Sequence, residues 1–350
     1  MPAGIQTNNG KAFEYACLNS LYNAFRLEQV VEVCDTPQLK TARQFYNALS
    51  SDFKKDLNSA ANAAVRVIVK LEPLLQFPNK SGKLTLTLQT DAQGIKGDVR
   101  DVLCIRSDCG WNIGLSCKHN HHAVKHSRLS DTINFGQDWF GIPCSKEYFS
   151  KVVPLFTQLR VLRDNSKEEG SPALWSDIPD KSAMYYIPIL QAFMDELKKI
   201  DAEHPGEIPR ALINYLIGRN DFYKVITDDA KRTTRVEAIN IAGTLNRPAG
   251  KHHSIVDVPR LKLPTRFYHI GFKPDSDNTI EIVCDEGWAV SMRIHNASSK
   301  IEPSLKFDVN LISVPSSIHA QVEPWAVEYS YSSQTAIKKV AEESSKYGPD

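Results

Sequence analysis

Apolar and polar positions follow two rhythms along this 350-residue chain, and the switch between them sets the expected organisation. After Asn8-Asn9-Gly10, the residues Phe13, Ala16, Cys17, Leu21 and Ala24 recur at helical spacing and predict a first helix. Residues 41–71 predict one or two more helices, alanine-rich at 60–64. Residues 83–88 then alternate strictly, as a strand with one wet face does. Two short apolar runs follow within 97–118, split by Ser107-Asp108-Cys109-Gly110, and predict a tight β-hairpin. Helical patterns return at 146–162, 180–200 and 209–217. From Asp221 onward period two dominates, with strands expected at 223–227, 234–239, 267–270, 279–283 and 288–296. The order predicts an α+β (mixed α/β) fold: a helix-rich core over 1–217, a β-rich part over 218–325 and a polar tail over 326–350.

The hairpin carries the most suggestive chemistry. Asp101 opens its first strand and Lys118 closes the second. Because side chains alternate between the faces of a strand, Ser116 and Lys118 point the same way, and Asp101 can face them across the hairpin. A carboxylate and an ammonium held together at strand ends suit metal-assisted phosphodiester hydrolysis, the acid holding a cation and the lysine steadying the attacking water. This is the layout of the PD-(D/E)xK nuclease core with one departure: Ser116 stands where a second acid is expected. An ordinary hairpin ending in a solvated lysine is the plain alternative.

The surrounding text extends the likeness. Gly97-Asp98-Val99-Arg100-Asp101-Val102, Ile113-Gly114-Leu115-Ser116-Cys117-Lys118-His119-Asn120-His121 and Val124-Lys125-His126-Ser127-Arg128-Leu129-Ser130 resemble the HaeIII-type restriction endonucleases. So does the distant block Gly287-Trp288-Ala289-Val290-Ser291-Met292-Arg293-Ile294-His295-Asn296, running on to Asp308. The resemblance spans residues 10–315 or so. It implies a restriction-endonuclease-like core in a dimeric, magnesium-dependent enzyme that cuts double-stranded DNA at GGCC. It also implies a cognate methyltransferase that protects the host.

For the metal, Asp101 is the first choice and Asp98 its competitor, with the main-chain carbonyl of Cys117 as a further oxygen. Since Ser116 cannot supply a carboxylate, the second acid is expected from Glu14 on the first helix or from Asp131 beyond the hairpin. Glu14 also has a plainer reading, as a first-turn acid favoured by the helix dipole.

Two polar stretches are candidates for touching DNA. Residues 119–128 hold no acid and include Lys125, His126, Ser127 and Arg128, as a phosphate-facing surface does, although the polar start of a helix fits the same letters. Arg293, Asn296, Ser299 and Lys300 end a strand and offer base-edge or phosphate contacts. The letters His-Asn-His at 119–121 are not an HNH nuclease motif, whose residues are widely spread. The scattered cysteines lack the paired spacing of a structural zinc site.

Composition changes this picture little. Charged residues make up 24% of the chain and the net charge is +1, so DNA binding must rest on local patches. Seven cysteines, an odd number, suggest free thiols in a reducing compartment. The first residues carry no basic start or apolar run, so a cytoplasmic location is expected. A repair-type nuclease of the same core and a DNA-binding module that has lost its metal site are the rival readings.

Overall fold

The computed structural model describes residues 3–77, 82–90, 97–120, 123–168 and 170–325. It is a mixed α/β architecture of two compact units. The first takes residues 1–121, 219–261 and 317–350, and the second takes 122–218 and 262–316. The chain therefore crosses between units repeatedly, where a single change near residue 218 was expected. The cause is pairing: the strand that follows Gly218 returns to the first sheet instead of starting a new one.

In the first unit, helix α1 (Ala3–Phe25) leads to a short strand β1 (Val31–Val33). Helix α2 (Pro37–Asn47) begins where Thr36 accepts the Leu39 N–H at 3.1 Å. Helix α3 (Ser51–Leu71) is capped in the same way by Ser50 and ends before the short helix α4 (Pro73–Gln76). Strand β2 (Leu84–Leu88) follows, then β3 (Val102–Arg106) and β4 (Trp111–His119). The turn between β3 and β4 closes on Gly110 at φ 61°, a conformation that an L side chain rarely adopts. This is the expected hairpin, in antiparallel register from Val102↔Leu115 to Arg106↔Trp111.

Strands β6 (Phe222–Asp228), β7 (Thr233–Ile239) and β12 (Ala320–Pro324) complete a seven-stranded sheet of order β1-β2-β3-β4-β6-β7-β12. Its β1/β2 and β4/β6 pairs are parallel. Helices α1 and α3 bury Phe13, Ala16, Cys17 and the alanines of 60–64 against Val102, Cys104, Ile113, Leu115 and Cys117. Those alanines let α3 approach closely, and the Thr234 hydroxyl donates to the Ala60 carbonyl at 2.9 Å.

The second unit holds an antiparallel sheet of order β5-β11-β10-β9-β8. Its strands are β5 (Ala123–Leu129), β8 (Phe267–Phe272), β9 (Thr279–Cys284), β10 (Ala289–His295) and β11 (Leu305–Ser313). Within the basic run, residues 123–128 are thus strand rather than the start of a helix, because β5 pairs along β11 from Leu129↔Leu305 to Ala123↔Asn310. Helices α5 (Phe135–Phe140), α6 (Lys146–Glu168), α7 (Ile187–Glu203) and α8 (Ile208–Ile217) supply this unit's helical layer. Phe135, Trp139, Phe193 and Phe307 form an aromatic core between helices and sheet. No helix among the described residues is long and apolar enough to cross a membrane. The expected polar tail lies outside the described residues.

Candidate active site

Strand β3 stops one residue short of Asp101, while its partner β4 runs on to His119. The ladder is extended by Asp101 itself: its N–H donates to the Leu115 carbonyl at 2.7 Å, and its Oδ2 accepts the Cys117 N–H at 2.7 Å. A strand residue turns its N–H and C=O to the same edge, so the Cys117 carbonyl also points to the side where Asp101 sits. Lys118 Nζ lies 3.8 Å from Asp101 Oδ2. The Cys117 thiol turns into the core, where its hydrogen bond with Cys17 and burial push its pKa well up, leaving the main chain as its only oxygen donor.

Helix α1 brings Glu14 to the same place. Glu14 is 8% exposed, and its pKa is pushed up to about 8, first by burial and then by the Asp101 carboxylate. Lys11, one turn earlier, donates to its Oε2 at 3.3 Å and opposes the rise, as does Lys118. Two carboxylates pressed together in a poorly solvated place, with a main-chain oxygen beside them, form a hard-oxygen donor set that suits a divalent cation.

The other acid candidates are engaged elsewhere. Asp98 is gripped by Arg100, whose Nε and Nη2 donate to its two oxygens at 2.8 and 2.7 Å. Burial alone would raise its pKa, but the bonds from Arg100 and Gln89 outweigh that and hold it below the usual carboxylate range. Asp131 belongs to the second unit, where its carboxylate pairs with Arg160.

Ser116 is buried and sits opposite Lys224 of β6 in the parallel register. Lys224 in turn opposes Glu237 of β7. Burial lowers the Lys224 pKa, Glu237 opposes the drop, and Lys118 and Arg235 add to it. A second buried lysine therefore stands beside the slot that lacks its acid. Sequence reading missed it because a lysine in an amphipathic strand looks like an ordinary wet-face residue. His119 was missed as well. It is buried against the rings of Phe13 and Phe53, with Nε2 3.1 Å from Asp229 Oδ2. In the sequence, Lys11 and His119 are marked only by adjacency, one turn before Glu14 and one step after Lys118.

The expected DNA contacts share the sheet of the second unit. Arg128 on β5 pairs in register with Lys306 of β11, and Arg293 on β10 pairs with Asp308 of β11. Arg128 is exposed, donating to Ser304 Oγ at 3.0 Å and lying 3.4 Å from Glu302. Arg293, also exposed, bonds Asp308 at 2.8 Å. Ser127 faces inward and shares a 3.1 Å hydrogen bond with the Tyr215 hydroxyl, so its side chain is not on the polar face. Asn296 accepts from the Tyr186 hydroxyl at 3.0 Å and donates to the Ser298 carbonyl. Ser299 and Lys300 are exposed beyond it. The side chains of Lys125 and His126 lie outside the described residues.

Against known proteins, residues 10–315 match the model of the HaeIII restriction endonuclease family. The chain is also similar to the type II restriction enzyme HaeIII of Haemophilus aegyptius, 39% identical over 318 residues, which is 91% of this chain and 98% of that one. No solved structure matches it.

Proposed function

We infer the reaction from one premise: this chain belongs to the HaeIII restriction endonuclease family, and it is a type II site-specific deoxyribonuclease. The finer reading is that it hydrolyses phosphodiesters of double-stranded DNA at GGCC, with Mg2+, as a homodimer in which each copy reads one half of the palindrome. The observation that carries the chemical part is the meeting of Glu14, Asp101 and Lys118 at the point where β3 ends and β4 continues.

In this reading Glu14, Asp101 and the Cys117 carbonyl would hold the cation, which would supply Lewis-acid polarisation of the scissile phosphate and a more acidic water. Lys118, whose ammonium lies 3.8 Å from Asp101 Oδ2, orients that water for in-line attack. Ser116 contributes no charge. Lys224 next to it adds positive potential where negative charge accumulates on the phosphate. Asp98 works indirectly, by fixing Arg100 beside the strand. Arg128, Arg293, Asn296, Ser299 and Lys300, together with Lys125 and His126, form the DNA-contacting set, with arginine suited to guanine O6 and N7. Host DNA is protected by a cognate methyltransferase.

The test is a digest of long unmethylated duplex DNA, with and without magnesium, with the ends mapped by sequencing. Discrete ends within GGCC that appear only with magnesium support the whole reading. Discrete ends at another sequence discard GGCC and keep the enzyme, while cutting without any divalent cation discards the metal site.

A further inference from the structure

The face of β4 that carries Ser116 and Lys118 also carries Gly114 and Asn112, by the two-residue repeat of a strand. Going toward the start of β4, the surface changes character. A side chain at Gly114 would collide with Arg100, whose Cδ would lie 2.3 Å from an added Cβ, so Arg100 lies flat across the strand there. Beyond it opens a cavity of about 130 Å3 lined by Arg100, Asn112, Arg219, Asp221, Thr244 and Arg247. By the ~10–15 Å3 of cavity that one water needs, the hollow has room for a tetrahedral anion with some hydration.

Three acids close to this cavity, Asp98, Asp221 and Glu72, are already committed. Asp98 is bonded by Arg100 through both oxygens. Asp221 accepts from the N–H groups of Ile241, Ala242 and Thr244 and from the Thr244 hydroxyl, which fills a carboxylate's four acceptor sites. Glu72 is fully buried and is occupied at Oε1 by the Tyr223 hydroxyl and the Asn246 N–H. Arg219 and Arg247, both exposed, face this polar hollow; Arg247 also acts on the buried Glu72 carboxyl, lowering its pKa through charge, with no hydrogen bond or ion pair to it among the described residues. The Asn112 carbonyl is taken by Arg100 at 2.7 Å, which leaves its amide nitrogen as a further donor. A hollow of guanidinium and amide donors fits a phosphate oxygen cluster, which arginine can bind bidentately.

We propose that the cavity walled by Arg219, Arg247 and Asn112 grips a backbone phosphate of the substrate duplex outside the recognition sequence. The inference rests on the duplex-cutting function proposed above. From Asn112 to Lys118 is six strand steps, roughly 20 Å at ~3.3 Å each, farther than the ~7 Å of helix axis that a four-base-pair target extends to either side of its centre. The grip carries no sequence information and acts on affinity for flanking DNA.

The experiment measures binding of the full chain, without divalent cation so that no cutting occurs, to an 8-base-pair and a 30-base-pair duplex sharing one central GGCC. Wild-type protein binds the longer duplex roughly tenfold more tightly or better, and the double variant R219A/R247A brings that ratio close to one. The slope of log affinity against log salt on the long duplex shallows by about 2. The double variant R219K/R247K, which keeps the charges, retains most of the slope, and its thermal melting controls for folding. A length ratio that stays at the wild-type value in R219A/R247A overturns the proposal while the cutting reading stands. A wild-type chain that neither binds nor cuts duplex DNA overturns both.

Discussion

The two sheets of this protein treat charge in opposite ways. At the end of β4 in the first, Glu14, Asp101, Lys118 and Lys224 are largely hidden from water, and each disturbs its neighbours. In the second, Arg128 and Arg293 lie open to solvent, each leaning on an acid of its own, Glu302 and Asp308. Buried charge is unstable alone, so it creates a demand for a cation or a phosphate and fixes geometry while doing so. Exposed, loosely paired charge costs little to rearrange and can exchange its acid partner for DNA. The first arrangement suits chemistry, and the second suits recognition.

The largest effects should come from the buried set. Asp101→Ala and Lys118→Ala are each expected to slow cleavage by on the order of 10²–10⁴-fold while binding of uncut duplex changes only a few-fold. Single-turnover digestion alongside a binding titration checks this, and a matching collapse in binding would erase the distinction between the two sheets. Glu14→Gln should cost cleavage on the order of 10–100-fold and raise the magnesium concentration needed for half-maximal rate. Asp98→Asn should act less than either, through Arg100. An effect as large as that of Asp101→Ala would move the metal to Asp98.

On the recognition side, Arg293→Ala is expected to weaken binding to the cognate duplex by about 1–3 kcal/mol if it reads a base, and to relax preference at one position. Uniform weakening across sequences would make it a phosphate contact instead.

A pH test probes burial away from both sites. Glu72 has its pKa pushed up to about 7 by burial, against the opposing bonds from Asn246 and Tyr223. A carboxyl that holds its proton more tightly folded than unfolded contributes stability at acid pH. That contribution is lost as pH rises from about 4.5 through about 7. Glu72→Gln should therefore flatten the fall in melting temperature over that range, a gain of a few degrees at pH 8. An unchanged slope would mean that Glu72 titrates normally. The smallest effect belongs to Glu302→Ala, which removes an exposed partner of Arg128 and should change stability by less than about 1 kcal/mol in urea melts.

Much of this organisation is written locally in the chain. The hairpin was legible because two apolar runs flank a turn ending in glycine, and Asp101 and Lys118 stand out at its ends. Strands β6 to β10 were legible from alternation alone. Strand β5 was not: its polar run Lys125-His126-Ser127-Arg128 has no apolar alternation, and only pairing with β11, far downstream, makes it a strand. The parallel neighbours β4 and β6 were invisible for a related reason, since no local pattern encodes a partner so distant. The same holds for Arg100, Arg219 and Arg247, three unremarkable arginines in the sequence that the sheet gathers around one hollow. Within the first unit, the packing of α1 on β4 brings Glu14 beside Asp101, a neighbour that no local pattern announces.

The parallel pairing of β4 with β6 also has a meaning in time. Lys118 lies beside Ile226, more than a hundred residues later, and the second unit's first segment is spelled out between them. A ribosome adding ~5–20 residues per second needs roughly 5–20 s to cross that interval. Throughout it the nascent chain holds Asp101 and Lys118 on a strand whose far edge has no neighbour. A product released before Arg219 has Asp101 and Lys118 without the strand that flanks them, so their surroundings are completed only after the second unit's first segment has been made.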